Sequence, residues 1–163
     1  MDSGTRVNSA VSNVVDSFLN MFTSKSHYVA PPNAKVVLLN SPIRPVTAYS
    51  NEKMHCWYDF KKAEDIKEIS RVINVTEWNQ SADHVINIAN YEASLLGGNM
   101  KKIILSGFSQ GWWVAYNTFL RHKEAFGGVI GISGYSPPTY QEMITPEKKT
   151  TPIFAWVIFI YYI

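Results

Sequence analysis

The sequence predicts an α/β fold: a single domain, residues 1–163, with a mainly parallel sheet and helices on both faces. Short β-branched runs alternate with amphipathic helical patterns, which is typical of strand–helix–strand units in a parallel sheet. Hydrophobic residues make up 46% and charged residues 17% of the chain, a balance typical of a globular protein. No internal repeat or linker interrupts the pattern, so we expect one core.

The first half of the chain predicts two helices and one strand. Apolar residues recur at helical spacing between residues 5 and 23. Lys35–Leu39 is a short β-branched run that predicts a buried strand. A long irregular stretch follows from Asn40 to about Phe60, and loops of that length are usually functional. A second helix is expected from about Glu77 to Leu96, ended by Gly97-Gly98.

The second half predicts three strands and one helix. Lys102–Ser106 is a buried strand that runs into the turn Gly107–Gly111, and a helix continues from there to about Lys123. Gly127–Ser133 and Pro152–Trp156 are the two further strands.

The turn between strand and helix has the pattern G-x-S-x-G, with Ser109 at its centre. A sharp turn of this kind exposes the serine hydroxyl above the sheet, and the flanking glycines let the backbone pass without clashes. The backbone amide of Gln110 then points at a developing oxyanion from a helix N-terminus. The spacing therefore predicts a nucleophilic serine. The alternative is that Ser109 only caps the helix, as serines between glycines often do.

Charge and cysteine content exclude several other classes. The net charge of +2 comes from 15 basic and 13 acidic residues that are dispersed along the chain, so we expect no nucleic-acid partner. Lys148-Lys149 is expected in a solvated loop. One cysteine, Cys56, and no signal-peptide pattern favour a cytoplasmic location, and the apolar run Ile153–Ile163 is too short to span a bilayer.

Four segments in order resemble the acyl-protein thioesterase, or phospholipase/carboxylesterase, family. Leu105–Gly111 resembles its "GFSQGG" elbow, and Asn40–Thr47 its "NAPxRPVT" segment. Cys56–Phe60 is similar to "SWYDI", and Gly128–Tyr135 to "AGVIALSGYLP". Asp2-Ser3-Gly4 also matches the end of the family's "HGxGDSG" oxyanion loop.

The resemblance implies a partial α/β-hydrolase fold and the hydrolysis of acyl thioesters or carboxylic esters, such as palmitoyl-protein or lysophospholipid. It implies no metal and no organic cofactor, an acylated protein or lipid ester as partner, and at most transient contact with a membrane surface; it leaves the oligomeric state open. Arg44, Trp57 and Asp59 would shape the entrance beside Ser109. Alternatively, Trp57 is a core aromatic and Arg44–Asp59 a structural ion pair.

The chain departs from that family at the elbow and in its catalytic partners. Trp112 stands where the family has a second glycine, and Trp113 follows, which predicts a shifted helix or a reshaped pocket. No aspartate follows Ser109, and the only later histidine, His122, is expected on the surface of the helix and too far away to act as base. His55, which lies in the irregular stretch from Asn40 to Phe60, is the candidate for a substitute base.

The domain is therefore expected to lack the N-terminal strands with the oxyanion His-Gly segment and the C-terminal Asp/His portion. We expect little or no turnover from it; the alternative is a non-catalytic binding module on the same fold. The ending Val157–Ile163 contains only Val, Ile, Phe and Tyr, which we interpret as read-through into an AT-rich intron; the alternative is a genuine buried strand.

Overall fold

The computed structural model describes residues 33–62, 73–133 and 143–156. It divides the chain into two compact units, residues 1–40 and 41–163. The predicted helix at 5–23 and the ending Val157–Ile163 lie outside the described residues. The single domain 1–163 stays a prediction.

The predicted strand Lys35–Leu39, in the first unit, is wrong. The backbone from Ala34 to Asn40 has no regular secondary structure, and Val36 and Val37 are each 42% exposed. A strand needs a hydrogen-bonded neighbour, and no strand in the described ranges pairs with this segment.

Within its described residues, the second unit contains five strands and two helices. The strands are β1 (Ile43–Val46), β2 (Glu52–His55), β3 (Ile104–Phe108), β4 (Gly128–Ile132) and β5 (Ile153–Trp156), and the helices are α1 (Val75–Leu95) and α2 (Gln110–Arg121). Strands β3, β4 and β5 form a parallel sheet in that order, while β1 and β2 pair antiparallel. The α/β class with a parallel sheet is confirmed.

The irregular stretch expected between Asn40 and Phe60 contains the hairpin of β1 and β2. A short 3₁₀ turn, Thr47–Tyr49, joins the strands, and Ser50 and Asn51 reverse the chain at positive φ. Short polar residues tolerate that conformation better than branched ones, so the turn forms without the glycine that would have marked it in the sequence. Val46, Ala48 and Cys56 form a small core of their own beneath the hairpin.

Helix α1 begins and ends on recognisable signals. The side chain of Asn74 accepts a hydrogen bond from the backbone amide of Glu77 at 3.2 Å, so the helix starts two residues before the prediction. Gly97 and Gly98 both have positive φ, at 74° and 76°, and end it as expected.

Helix α2 lies at the centre of this unit, between α1 and one face of the parallel sheet. Every residue from Trp112 to Leu120 is buried, which requires protein on both sides of the helix. The other face of the sheet carries Phe108, Phe154 and Trp156, and these side chains are 48%, 61% and 57% exposed within the described part of the chain.

Two residues predicted at the surface are buried instead. His122 is only 3% exposed because its ring packs on Phe126 and its Nε2 lies 3.0 Å from Asn90 Oδ1. Lys148 is 4% exposed because its ammonium group donates to the carbonyls of Leu120 and Met143 near the C-terminal end of α2. The Leu120 carbonyl is one of the helix-end carbonyls without a donor partner inside the helix, so a cationic donor is favourable there.

Across the described residues, neither helix combines the length and apolar character needed to cross a membrane.

Candidate active site

Ser109 occupies the corner where β3 ends and α2 begins, as predicted. Its backbone has φ 51° and ψ −116°, a conformation that costs a non-glycine residue about 1–3 kcal/mol. The amide of Ser109 donates to the carbonyl of Ile132 at 2.8 Å, which ties the corner to the end of β4. The residue is exposed, and its side chain makes no capping hydrogen bond to α2. This argues against the alternative in which Ser109 is only a helix cap.

Gly107 makes the close strand-to-helix crossing possible. A Cβ at Gly107 would lie 2.2 Å from the carbonyl oxygen of Gly111 and 2.5 Å from the amide nitrogen of Trp112. These are backbone atoms, so no side-chain rearrangement could relieve the clash. Gly111 is less constrained, because the nearest atom to a Cβ there is Trp57 Nε1 at 3.8 Å.

Trp112 is accommodated by a second glycine across the sheet. Its indole is 1% exposed and lies against Gly131 of β4, where a Cβ would come within 2.3 Å of two ring carbons. Gly107 and Gly131 are register neighbours on β3 and β4, the two strands that α2 contacts, so two small residues lie side by side there. Helix α2 still packs against β3, which is evidence against the predicted shift of the helix. The indole of Trp112 fits against Gly131 of the sheet instead.

The side chain of Gln110 joins the elbow to the segment that follows β2. Its Oε1 accepts from the amide of Trp57 at 2.7 Å, and its Nε2 donates to the carbonyl of Tyr58 at 2.8 Å. Nε2 also lies 3.1 Å from Cys56 Sγ. The backbone amide of Gln110 is in the first turn of α2, where N–H groups have no acceptor within the helix, and its role toward an oxyanion stays a prediction.

Arg44 and Asp59 belong to a separate network around Glu77. Arg44 Nη1 lies 2.7 Å from Glu77 Oε2, and the same oxygen accepts from the amide of Asp59 at 2.7 Å. The carboxylate of Asp59 accepts from the amide and the hydroxyl of Thr47, both at 2.6 Å. The alternative of an Arg44–Asp59 ion pair therefore named the wrong partner for Arg44.

Neither Arg44 nor Asp59 has a hydrogen bond or ion pair with Ser109 among the described residues. Arg44 Nε is buried without a hydrogen-bond partner in the structure. The roles of both residues at a substrate entrance stay predictions.

No described histidine hydrogen-bonds to Ser109. His122 follows the far end of α2, about 20 Å away along the axis, and both of its ring nitrogens have partners. His55 Nδ1 lies 2.8 Å from the carbonyl of Ser41, and His84 is exposed on α1. Burial raises the pKa of Tyr58, so its phenol stays protonated at neutral pH. His27 lies outside the described residues.

Sequence reasoning missed two contributors to this region, Glu77 and Ser81. Asn74 and Glu77 have the spacing of a capping box, which would have marked the start of α1. Ser81 donates from α1 to the carbonyl of Trp57, and nothing in the local sequence distinguishes it from a surface serine.

Comparison with known proteins places this geometry in context. A family model described as phospholipase/carboxylesterase matches residues 15–158. Acyl-protein thioesterase 1 of Yarrowia lipolytica is 26% identical over 119 residues, covering 73% of this chain and 50% of that protein. Acyl-protein thioesterase 1 of Schizosaccharomyces pombe is 30% identical over 121 residues, covering 73% and 52%. The chain thus spans about half the length of the curated relatives it matches.

Solved structures agree on the fold. A SOBER1 variant of Arabidopsis thaliana superimposes with a TM-score of 0.69 at 23% identity, covering 88% of this chain and 66% of that one. Zea mays acyl-protein thioesterase 2 superimposes with a TM-score of 0.51 at 22% identity, covering 71% and 55%.

Proposed function

This chain belongs to the phospholipase/carboxylesterase family, and on that premise we propose that Ser109 is the nucleophile for hydrolysis of acyl thioesters or carboxylic esters. Ser109 Oγ attacks the acyl carbonyl and gives its proton to a base. The thiol or alcohol leaves, and water then hydrolyses the acyl-serine. The backbone amide of Gln110 stabilises the oxyanion. Palmitoyl-protein and lysophospholipid are the substrate classes that the family suggests.

The observation that carries the proposal is the conformation of Ser109. The residue has a positive φ, is exposed, and makes no capping bond, although it stands where a serine would normally cap α2. Strain of this kind persists only where the surrounding structure fixes it, and it clusters at functional sites. Gly107 and the Ser109–Ile132 bond are the features that fix it here.

A base is the component that the described residues do not supply, because none of their histidine or acidic side chains hydrogen-bonds to Ser109 Oγ. In a serine protease, loss of the catalytic histidine lowers kcat by about six orders of magnitude. We therefore expect turnover near background from these 163 residues alone. The same observation favours the second candidate, a binding module that keeps the fold without hydrolysis.

Added imidazole separates the two functions. The purified chain is incubated with a fluorophosphonate, with and without imidazole as an external base, and the modified residue is mapped by mass spectrometry. Imidazole should accelerate modification at Ser109, because the elbow already presents the hydroxyl and the described residues supply no proton acceptor to it. Hydrolysis of a palmitoyl thioester is followed in the same samples.

Ser109→Ala should abolish the imidazole-dependent modification. Ser106→Ala is the matched control, since it removes an exposed hydroxyl from the preceding strand without touching the elbow. Modification spread evenly over several serines would refute the nucleophile and leave the binding module. Thioester turnover without imidazole that disappears in Ser109→Ala would show that a base is present after all, and His55 would be examined first.

A further inference from the structure

Side chains from two helices, rather than a strand ladder, hold the backbone of Trp57 in place. Its amide donates to Gln110 Oε1 at the start of α2, and its carbonyl accepts from Ser81 Oγ on α1. The next residue is held as well, because Gln110 Nε2 donates to the carbonyl of Tyr58. Three backbone groups of two successive residues, Trp57 and Tyr58, are thus held by side chains.

These bonds are made where water cannot easily replace them. Ser81 is 5% exposed, and Gln110 is partly buried. Losing one partner of such a bond leaves a polar group unsatisfied, so the bonds are expected to be permanent in the folded protein.

The indole of Trp57 lies beside the elbow. Trp57 Nε1 is 3.8 Å from the position of a Cβ at Gly111, two residues beyond Ser109. The ring packs against the main core, yet Trp57 is only partly buried, so part of the residue stays accessible to solvent. A rigid apolar surface beside a nucleophile can contact the chain of an acyl substrate without an ordering cost at each binding event.

We propose that Ser81 and Gln110 are positioning residues, which hold Trp57 as a fixed wall for the acyl chain beside Ser109. The proposal rests on the function proposed above and deepens it, because it assigns selectivity for acyl length to side chains that act through Trp57. Gln110 then has two separate duties: its backbone amide faces the oxyanion, and its side chain fixes the wall.

The test is the affinity of the full chain for two fatty-acid products, laurate and hexanoate, measured by calorimetry. The laurate preference should fall in Gln110→Met, which keeps the length of the side chain but removes its bonds. It should also fall in Ser81→Ala, a smaller change that keeps the proposal testable if the first variant does not fold. Losing about 50 Å² of apolar contact with the longer chain corresponds to roughly a tenfold loss of preference.

Two further variants separate positioning from general damage. Trp57→Ala should lose the laurate preference, and adding Gln110→Met to it should lower the preference no further, because the wall is already gone. In Gln110→Glu the preference should recover as the pH falls, since a protonated carboxyl can again donate to the Tyr58 carbonyl; the wild-type preference should be independent of pH. A purely structural role would not produce that pH profile.

Gln80→Met, an exposed glutamine on α1, is the matched control and should leave both affinities unchanged. No chain-length preference in the wild type, or a preference that survives both Gln110→Met and Ser81→Ala, overturns the proposal. Fluorophosphonate mapping on the same samples distinguishes failure of the Trp57 wall from failure of Ser109 as nucleophile. Modification at Ser109 with an unaffected preference rejects the wall alone, whereas a lost preference without modification at Ser109 supports the wall and rejects the nucleophile.

Discussion

Gly131→Ala should be the costliest single-methyl change on β4. A Cβ at Gly131 would lie 2.3 Å from Trp112 Cδ2 and Cε3, so the buried indole must move by about 1 Å to restore ordinary contact. The ring is 1% exposed and packs on Tyr116 with centroids 5.3 Å apart, which leaves it little room. Overpacking of this kind costs about 1–3 kcal/mol, and we expect the upper end. With an m value of about 2 kcal/mol/M, the urea midpoint should fall by about 1.5 M.

Gly128→Ala is the matched control, because it adds the same methyl group to the same strand. There the nearest atom is 3.6 Å away, an ordinary contact, and the unfolding free energy should change little or rise slightly. Both variants are compared by urea unfolding, with and without Trp112→Ala. Removal of the indole should abolish the cost of Gly131→Ala. Equal midpoints for the two alanine variants, or a cost that persists without the indole, would refute the reasoning.

Two pH dependences follow from buried or hydrogen-bonded groups. Burial acts to raise the pKa of Asp59, but the hydrogen bonds from Thr47 outweigh it and hold the pKa below its usual value. The folded protein should therefore lose stability as the pH falls below about 4. In urea unfolding at acid pH, the variant Asp59→Asn should not show that loss. Burial lowers the pKa of Lys148, so the native state releases its proton first and stability should rise as the pH approaches about 10, the usual lysine range. Lys148→Met should remove that rise, and an identical slope in wild type and variant would contradict the assignment.

Many helices and strands could be predicted from the sequence because they depend on patterns among neighbouring residues. The period of apolar residues identified α1, α2 and the three parallel strands, with boundaries off by a few residues. Gly107 and Gly111 around Ser109 predicted the corner, since few other sequences allow a strand to turn so sharply into a helix. The hairpin before Cys56 was missed because its turn uses Ser50 and Asn51 at positive φ instead of glycine.

The burial of some side chains, and their contacts with residues far away in the sequence, depend on the tertiary structure alone. Local sequence predicted a surface position for Lys148 and for His122, but packing against α2 and its neighbours buried both. Trp112 predicted a shifted helix or a reshaped pocket, but in the structure its ring lies against Gly131 of β4. This contact depends on the register between β3 and β4, which the local sequence does not encode.

The sequence by itself determined the α/β class, the family resemblance and the position of Ser109, because periodicity and the elbow glycines act over a few neighbouring residues. The tertiary structure alone decided which polar groups meet. Glu77 forms an ion pair with Arg44, and the side chains of Gln110 and Ser81 hydrogen-bond to the backbone of Trp57. Hydrogen bonds between distant segments depend on how elements pack, and no local pattern encodes that geometry.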